Sequence, residues 1–411
     1  MPDEARKWIA ALDADGSGLV QTSTDTLRGR KLFVWGSGRG GRRWQRWLTA
    51  PGTGGYAEIQ AGLARTQLEH LRLEPESDIS WLEAYGPLDA DPALVHGEDW
   101  SAARTETAAR LAAALPRADV DAAHRAWLER AADTEPGERI ATGSGWGALE
   151  VLRAGHRLPG TPFDAATLGA EQAPWRTLLD TGRLPAPGGA AVPPGPTLVA
   201  PHWRDMLETA PAEPLTEYHL GVAQWHADDR AQAVRSWERG LRNASPRWPL
   251  LRCLAVADLV GGHPGRAAER YAEAFDDLCA GPRNAGGSGA GDGAGPRNGD
   301  GPGDAGGDAT AVVAALGREA VEALLGAGRT GEARAVWDRL PETVRARGRF
   351  RLLDAMILVA EGRPAEARAV LDEGIEVADL REGAAVLGEL WARVGDDPLP
   401  EIYDFRMQDV D

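Results

Sequence analysis

Polar and apolar positions alternate with a period of two through much of residues 1–88, then change to helical spacing over the rest of the chain. Period-two alternation marks a strand with one buried face, and a period near 3.6 marks an amphipathic helix. The alternating runs are Gly18–Ser23, Lys31–Trp35, Tyr56–Ala61, Leu63–Leu73 and Ile79–Tyr85, with Trp8–Asp13 leading in. Gly36-Ser-Gly38-Arg-Gly-Gly41 and Pro51-Gly-Thr-Gly-Gly55 separate them, as turns separate strands. Residues 89–210 read as an irregular helical region. Trp100–Leu115 and Asp119–Ala132 carry helical spacing, and the Pro/Gly-rich stretch Pro185–Pro196 is a loop.

Beyond residue 210 the helical pattern repeats every 34 residues. Ala233 and Trp237 recur as Ala267 and Tyr271, and Ala333 and Trp337 recur as Ala367 and Leu371; Leu220-Gly221 likewise returns as Leu254-Ala255. A small residue four positions before a large one lets two antiparallel helices approach closely and then lock, and a 34-residue period is that of the tetratricopeptide repeat. Residues 211–280 form a first repeat pair, and 310–395 a second pair with a capping helix near Glu382–Val394. Residues 396–411 are a tail. Between the pairs, residues 281–309 carry no apolar side chain larger than Pro, which predicts a disordered Gly-rich insertion. The expected fold class is α+β and multidomain, with a β part at the N-terminus and tetratricopeptide-type helices after it.

Charge and composition narrow the partners. The net charge of −17 and pI near 5.0 argue against nucleic acid and against anionic membranes. No run approaches the ~18 apolar residues of a membrane span, and no secretory leader is visible. Two cysteines, Cys253 and Cys279, make neither a disulfide framework nor a metal cluster, which suits a cytoplasmic protein. The eight histidines show no metal-ligand spacing, so no metal and no cofactor is expected. Fifteen tryptophans supply large rings for core packing or for stacking on sugars.

The motifs sort as follows. Gly36 to Gly41 fits G-x-G-x-x-G after a strand, but the run Arg42–Thr49 is cut short by Pro51, so a glycine-rich hairpin loop is the better reading. Asp13-Ala-Asp15-Gly-Ser-Gly18 resembles the start of a calcium loop, yet Thr24 stands where a bidentate Glu is required, leaving a turn between strands. Alternation groups Tyr56, Glu58 and Gln60 on one face of a strand, Arg65, Gln67 and Glu69 on another with His70 beside them, and Trp81, Glu83 and Tyr85 on a third. Carboxylates for acid–base work, Arg and amides for hydroxyls, and rings for stacking are the chemistry of a sugar site. Glu58, Glu69 and Glu83 are therefore the candidate catalytic residues. Gln60, Arg65, Gln67, His70, Trp81 and Tyr85 are the candidate substrate contacts. An antiparallel sheet with one solvated face produces the same alternation.

Gly29-Arg-Lys-Leu-Phe-Val-Trp-Gly36, Gly40-Gly-Arg-Arg-Trp-Gln45, Tyr56-Ala-Glu-Ile-Gln-Ala-Gly-Leu-Ala-Arg-Thr-Gln-Leu-Glu-His70, Trp81-Leu-Glu-Ala-Tyr-Gly86, Gly143-Ser-Gly-Trp-Gly-Ala-Leu-Glu150, Gly160-Thr-Pro-Phe163 and Tyr403-Asp-Phe-Arg-Met407 together resemble a bacterial family, a domain of unknown function followed by tetratricopeptide repeats. The resemblance implies a galactose-mutarotase-like β-supersandwich, a fold of aldose epimerases and many carbohydrate-active enzymes. It implies a glycoside hydrolase- or aldose 1-epimerase-like activity and a carbohydrate ligand. Family members extend further at the N-terminus, so residues 1–88 would be the C-terminal part of such a sandwich, in a truncated, mis-started or split product. The alternative function is a non-catalytic repeat scaffold with a protein or peptide partner on the repeat surface.

Overall fold

Asp13 turns the chain at its first hairpin. Its Oδ1 accepts from the Asp15 and Ser17 N–H groups at 3.0 and 3.1 Å, and Gly16 adopts φ +82°, a left-handed conformation open to glycine at little cost. In the computed structural model this motif joins β1 (Trp8–Leu12) to β2 (Ser17–Ser23). Three further strands follow: β3 (Gly29–Val34), β4 (Ala57–Gly62) and β5 (Glu83–Asp89). The structure describes residues 5–53, 55–134, 137–138, 140–155, 163–185, 192–280, 305–377, 380 and 384–405. They fall into two units, one including Met1–Ile140 and the other including Pro162–Phe405.

In the first unit β1, β2 and β5 make an antiparallel sheet in the order β1-β2-β5, and β3 pairs with β4 as a separate antiparallel ribbon. Its helices are α1 (Arg39–Leu48), α2 (Pro92–Val95), α3 (Trp100–Ala114) and α4 (Arg117–Arg130). Asp99 starts α3 by accepting from Ser101 N–H at 2.8 Å. One face of the three-stranded sheet buries Val20 and Leu88 against Leu111 of α3, with Trp8, Ala10 and Leu12 alongside. Helix α3, beyond residue 88, therefore shares a core with the sheet.

Three expectations are corrected here. The glycine-rich run is not simply a hairpin loop, because α1 opens at Arg39, directly after Gly38. The strands on either side are antiparallel, so no βαβ unit forms. Leu63–Leu73 is not a strand: Leu68, Leu71 and Leu73 are exposed, no neighbouring strand takes up its backbone, and side chains bond locally instead, Thr66 Oγ1 accepting from Leu68 N–H at 3.3 Å. The last strand starts at Glu83 rather than Ile79 and runs through Pro87, tolerable because β5 is an edge strand whose outer side needs no N–H.

The second unit begins with α5 (Gly145–Ala154), α6 (Ala173–Thr181) and α7 (Pro201–Thr209), which close on Trp175 and Trp203, Leu149, Leu178 and Leu207. The pairs α8 (Pro214–His226) with α9 (Arg230–Leu241) and α10 (Trp248–Val260) with α11 (Pro264–Ala280) follow. Then come α12 (Ala305–Gly326) with α13 (Thr330–Asp338), a short α14 (Glu342–Arg345), α15 (Gly348–Ala360) with α16 (Pro364–Asp372), and α17 (Val386–Val394). Residues 281–304 of the expected insertion, 186–191 of the expected loop, 160–162 and 406–407 of the resemblance, and 382–383 of the expected cap lie outside the described residues. Residues 305–309, assigned to the insertion from composition, are the first turn of α12.

The 34-residue period has a backbone cause as well as a packing one. The turn between paired helices places Asp228, Gly262, Gly328 and Gly362 at φ between +63° and +76°. Each turn closes with the same six-to-one hydrogen bond, from the N–H of Asp229, His263, Arg329 and Arg363 to a carbonyl five residues back, at 2.8–2.9 Å. Ala233, Ala267, Ala333 and Ala367 are fully buried at the helix crossings. Trp237, Tyr271 and Leu371 are buried one turn later and Trp337 is half-buried.

Candidate functional site

The second face of the three-stranded sheet is polar. Alternation puts Gln21 and Ser23 of β2 beside Tyr85 and Glu83 of β5, paired directly across the ladder. Glu83 collects three donors: Gln21 Nε2 at 3.0 Å and Tyr85 Oη at 2.6 Å on Oε2, and Trp81 Nε1 at 3.1 Å on Oε1. A carboxylate oxygen has two lone pairs, so Oε1 retains one for a further donor. The rings flanking this half-buried carboxylate face solvent, with Tyr85 63% and Trp81 42% exposed.

Arg30, at the start of β3, supports the cluster from below. Its Nη2 donates to Ser23 Oγ at 2.6 Å and its Nη1 to the Leu27 carbonyl at 2.7 Å. Burial pushes the Arg30 guanidinium below its ordinary value, while Glu83 and Tyr85 pull it back upward. The hydrogen bond to Glu83 holds the Tyr85 phenol above the usual tyrosine range, because ionising it would set two anions side by side. Gln21 Oε1 and Arg30 Nε are buried with no hydrogen-bond partner among the described residues. Such orphans beside a polar cluster are groups that a bound hydroxyl or water would satisfy.

The other candidates form separate groups. On β4, Gln60 Nε2 donates to Glu58 Oε2 at 3.4 Å, and the register sets Phe33 opposite Glu58 and Lys31 opposite Gln60. Glu69 bends back to accept from the Arg65 N–H at 2.7 Å, in an exposed loop that also holds Gln67 and His70. Glu58, Glu69 and Glu83 thus belong to three distinct hydrogen-bond groups, and Glu83, Trp81 and Tyr85 are the residues brought into one. Sequence reasoning missed Gln21, Ser23 and Arg30. A signal existed, because Gln21 to Thr24 are four consecutive polar residues, each 6% exposed or less. Four buried polar side chains in a row are expected only where they bond one another or a ligand.

Among the described residues no group of His, Cys, Asp and Glu is arranged to hold a metal ion, and no helix is long and apolar enough to cross a membrane. No family model and no curated protein matches the chain. Among solved structures it is similar to a TPR-domain containing protein from Parabacteroides distasonis, at 16% identity and a TM-score of 0.50. The match covers 96% of this chain and 56% of that one, so the chain spans little more than half of its neighbour's length. At this identity the likeness shows fold alone. The fold is one of small N-terminal antiparallel sheets followed by a tetratricopeptide-type helical repeat scaffold.

Proposed function

We propose that the polar face of the three-stranded sheet binds a carbohydrate, and that the protein is a carbohydrate-active one in which this sheet is joined to a helical repeat scaffold. The observation that carries this reading is the Glu83 cluster, a carboxylate with one lone pair free between two solvent-facing aromatic rings. Sugars present hydroxyl donors around an apolar ring face, and a carboxylate flanked by an indole and a phenol answers both. Binding is better supported than turnover. Acid–base chemistry at an anomeric carbon needs two carboxylates facing one bond, whereas Glu58 and Glu69 are each engaged elsewhere. Titrating the full chain with a panel of neutral and acidic mono- and oligosaccharides by calorimetry tests the reading. Saturable heat that Glu83→Gln removes is expected. A flat response across the panel refutes it, and a released reducing end would move the reading to catalysis.

A second reading rests on the repeat half. A cavity of about 860 Å³ in the second unit is lined by Pro174, Pro196, Leu215, Tyr218 and Pro249, with Glu171 and Asn243 among its polar walls. An apolar cleft with few polar groups suits a peptide, and a repeat scaffold presents such surfaces. Capture of a peptide by the full chain that Tyr218→Ala weakens would favour it.

A further inference from the structure

The element richest in positive charge is α1 with the strand before it. Residues 28–46 contain seven cations (Arg28, Arg30, Lys31, Arg39, Arg42, Arg43 and Arg46) and no acid, the flanking carboxylates being Asp25 and Glu58. The chain carries −17 overall, so this +7 segment leaves −24 on the remaining residues. At 100° per residue Arg42, Arg43 and Arg46 fall within an arc of about 100° on the helix. Trp47 lies at the edge of that arc and is 72% exposed. The opposite side faces the protein. Gly41 is buried so closely against the Gly36 backbone that a Cβ would collide with it, and Trp44 stacks on Trp35 with centroids 6.0 Å apart. Trp47 packs T-shaped with Trp44, their centroids 5.5 Å apart, so its ring is backed by Trp44, which itself rests on Trp35. Arg42 is exposed and gives one N–H to the Ser37 carbonyl, leaving its other donors for a ligand. Arg43 and Arg46 hold contacts of their own within the protein and add charge to the same side.

We propose that this side of α1 is a subsite for a carboxylated oligosaccharide, Trp47 stacking on a sugar ring while Arg42 pairs with a uronate group in the positive field of the helix. The inference rests on the carbohydrate reading above and names the class of glycan. Arginine's planar fork matches a carboxylate, and an exposed, backed indole offers a face to a pyranose. An anionic bilayer is a poorer fit, because the apolar side of α1 is turned inward and cannot enter the headgroup region. Extended nucleic acid is also poorer: it wants successive stacking rings in a basic groove, whereas Trp47 is the one exposed ring on α1 and the rest of the chain carries −24.

The test is calorimetry on the full chain with oligogalacturonate and with its fully methyl-esterified counterpart, which keeps the rings and removes the charge. The free acid is expected to bind about tenfold more tightly, with affinity falling as salt rises. Arg42→Glu and Trp47→Ala, each checked for unchanged circular dichroism, are expected to cost about tenfold, and Arg42→Glu to abolish the preference for the acid over the ester. Equal binding of acid and ester, or a preference for the acid that Arg42→Glu leaves intact, overturns the inference and leaves the carbohydrate reading standing. Oligothymidylate of equal charge binding as tightly as the uronate, or co-sedimentation with phosphatidylglycerol vesicles that Arg42→Glu abolishes, overturns it in favour of another polyanion. No binding by acid, ester or any neutral sugar overturns both.

Discussion

Gly221 on α8 is the residue on which the lock of the first repeat depends. A Cβ built there lies under 3.0 Å from three atoms of the Trp237 indole. Trp237 has nowhere to retreat. It is 3% exposed, its Nε1 donates to the Tyr218 carbonyl at 3.2 Å, and it packs among Ala233, Leu250 and Leu254 with Trp225 5.7 Å away. Gly221→Ala gains about 1 kcal/mol of helix propensity. Against that, overpacking costs about 1–3 kcal/mol, and displacing the indole from its carbonyl about 1 kcal/mol more. The net expectation is a loss of roughly 1–3 kcal/mol, opposite in sign to what helix propensity alone demands. Gly265→Ala on α11 is the control: no atom lies within 4 Å of its Cβ, so it is expected to be neutral or to stabilise by up to ~1 kcal/mol. Urea unfolding followed by far-UV circular dichroism at matched slope reads both. Trp237→Leu in the Gly221→Ala background is expected to recover part of the loss, a non-additive result that identifies the contact. If Gly221→Ala is as stable as the parent or tracks Gly265→Ala, the close helix approach inferred from the 34-residue pattern is wrong.

Three more outcomes follow from the geometry. His219 is buried against Trp175 and Tyr218, with Thr197 Oγ1 at 2.7 Å from Nδ1, and burial pushes it down to about 4 from its ordinary 6.5. The unfolded chain then binds the extra proton between those values. His219 stability is therefore complete above about pH 6.5 and falls, by on the order of 3 kcal/mol, as pH drops towards 4; His219→Asn should flatten that part of a melting-temperature-against-pH curve. Asp258 is 3% exposed and accepts from Arg266 Nε at 2.6 Å and Arg270 Nη1 at 2.7 Å. Asp258→Asn should cost about 2–3 kcal/mol in urea unfolding, since it breaks a charge-assisted pair and strands a half-buried arginine. The Tyr85 phenol should titrate above the usual tyrosine range by NMR and move back towards it in Glu83→Gln; an unmoved titration would dissolve the proposed cluster.

The repeats were legible because everything that makes them is local. A buried alanine, a large residue one turn on and a left-handed turn position all recur at a fixed offset, and each can be recognised without knowing its partner. α1 was hidden because its glycines at 40 and 41 read as loop chemistry, although Gly41 serves close contact with the Gly36 backbone. Leu63–Leu73 misled for the opposite reason: alternation is necessary for a half-buried strand, yet nothing in the run supplies a neighbour to bond its backbone. The Glu83 group was half legible. Trp81, Glu83 and Tyr85 are two apart and share a face by alternation, but Gln21 lies 62 residues from Glu83, and only the β2–β5 register joins them. The packing of Leu111 of α3 on Val20 and Leu88 is likewise long-range, and a change in composition near residue 88 had concealed it.

The claim that the sheet face around Glu83 binds sugar is tested most directly by watching the fifteen tryptophan indole N–H signals while an oligosaccharide from the panel is added to saturation. The Trp81 indole donates to Glu83 at 3.1 Å, so a ligand taking the free Oε1 lone pair must disturb it. The expected result is a saturable shift of the Trp81 signal, absent in Glu83→Gln, with the buried Trp203 and Trp237 signals unmoved. Binding heat accompanied by shifts confined to tryptophans of the second unit, with Trp81 still, would contradict the account.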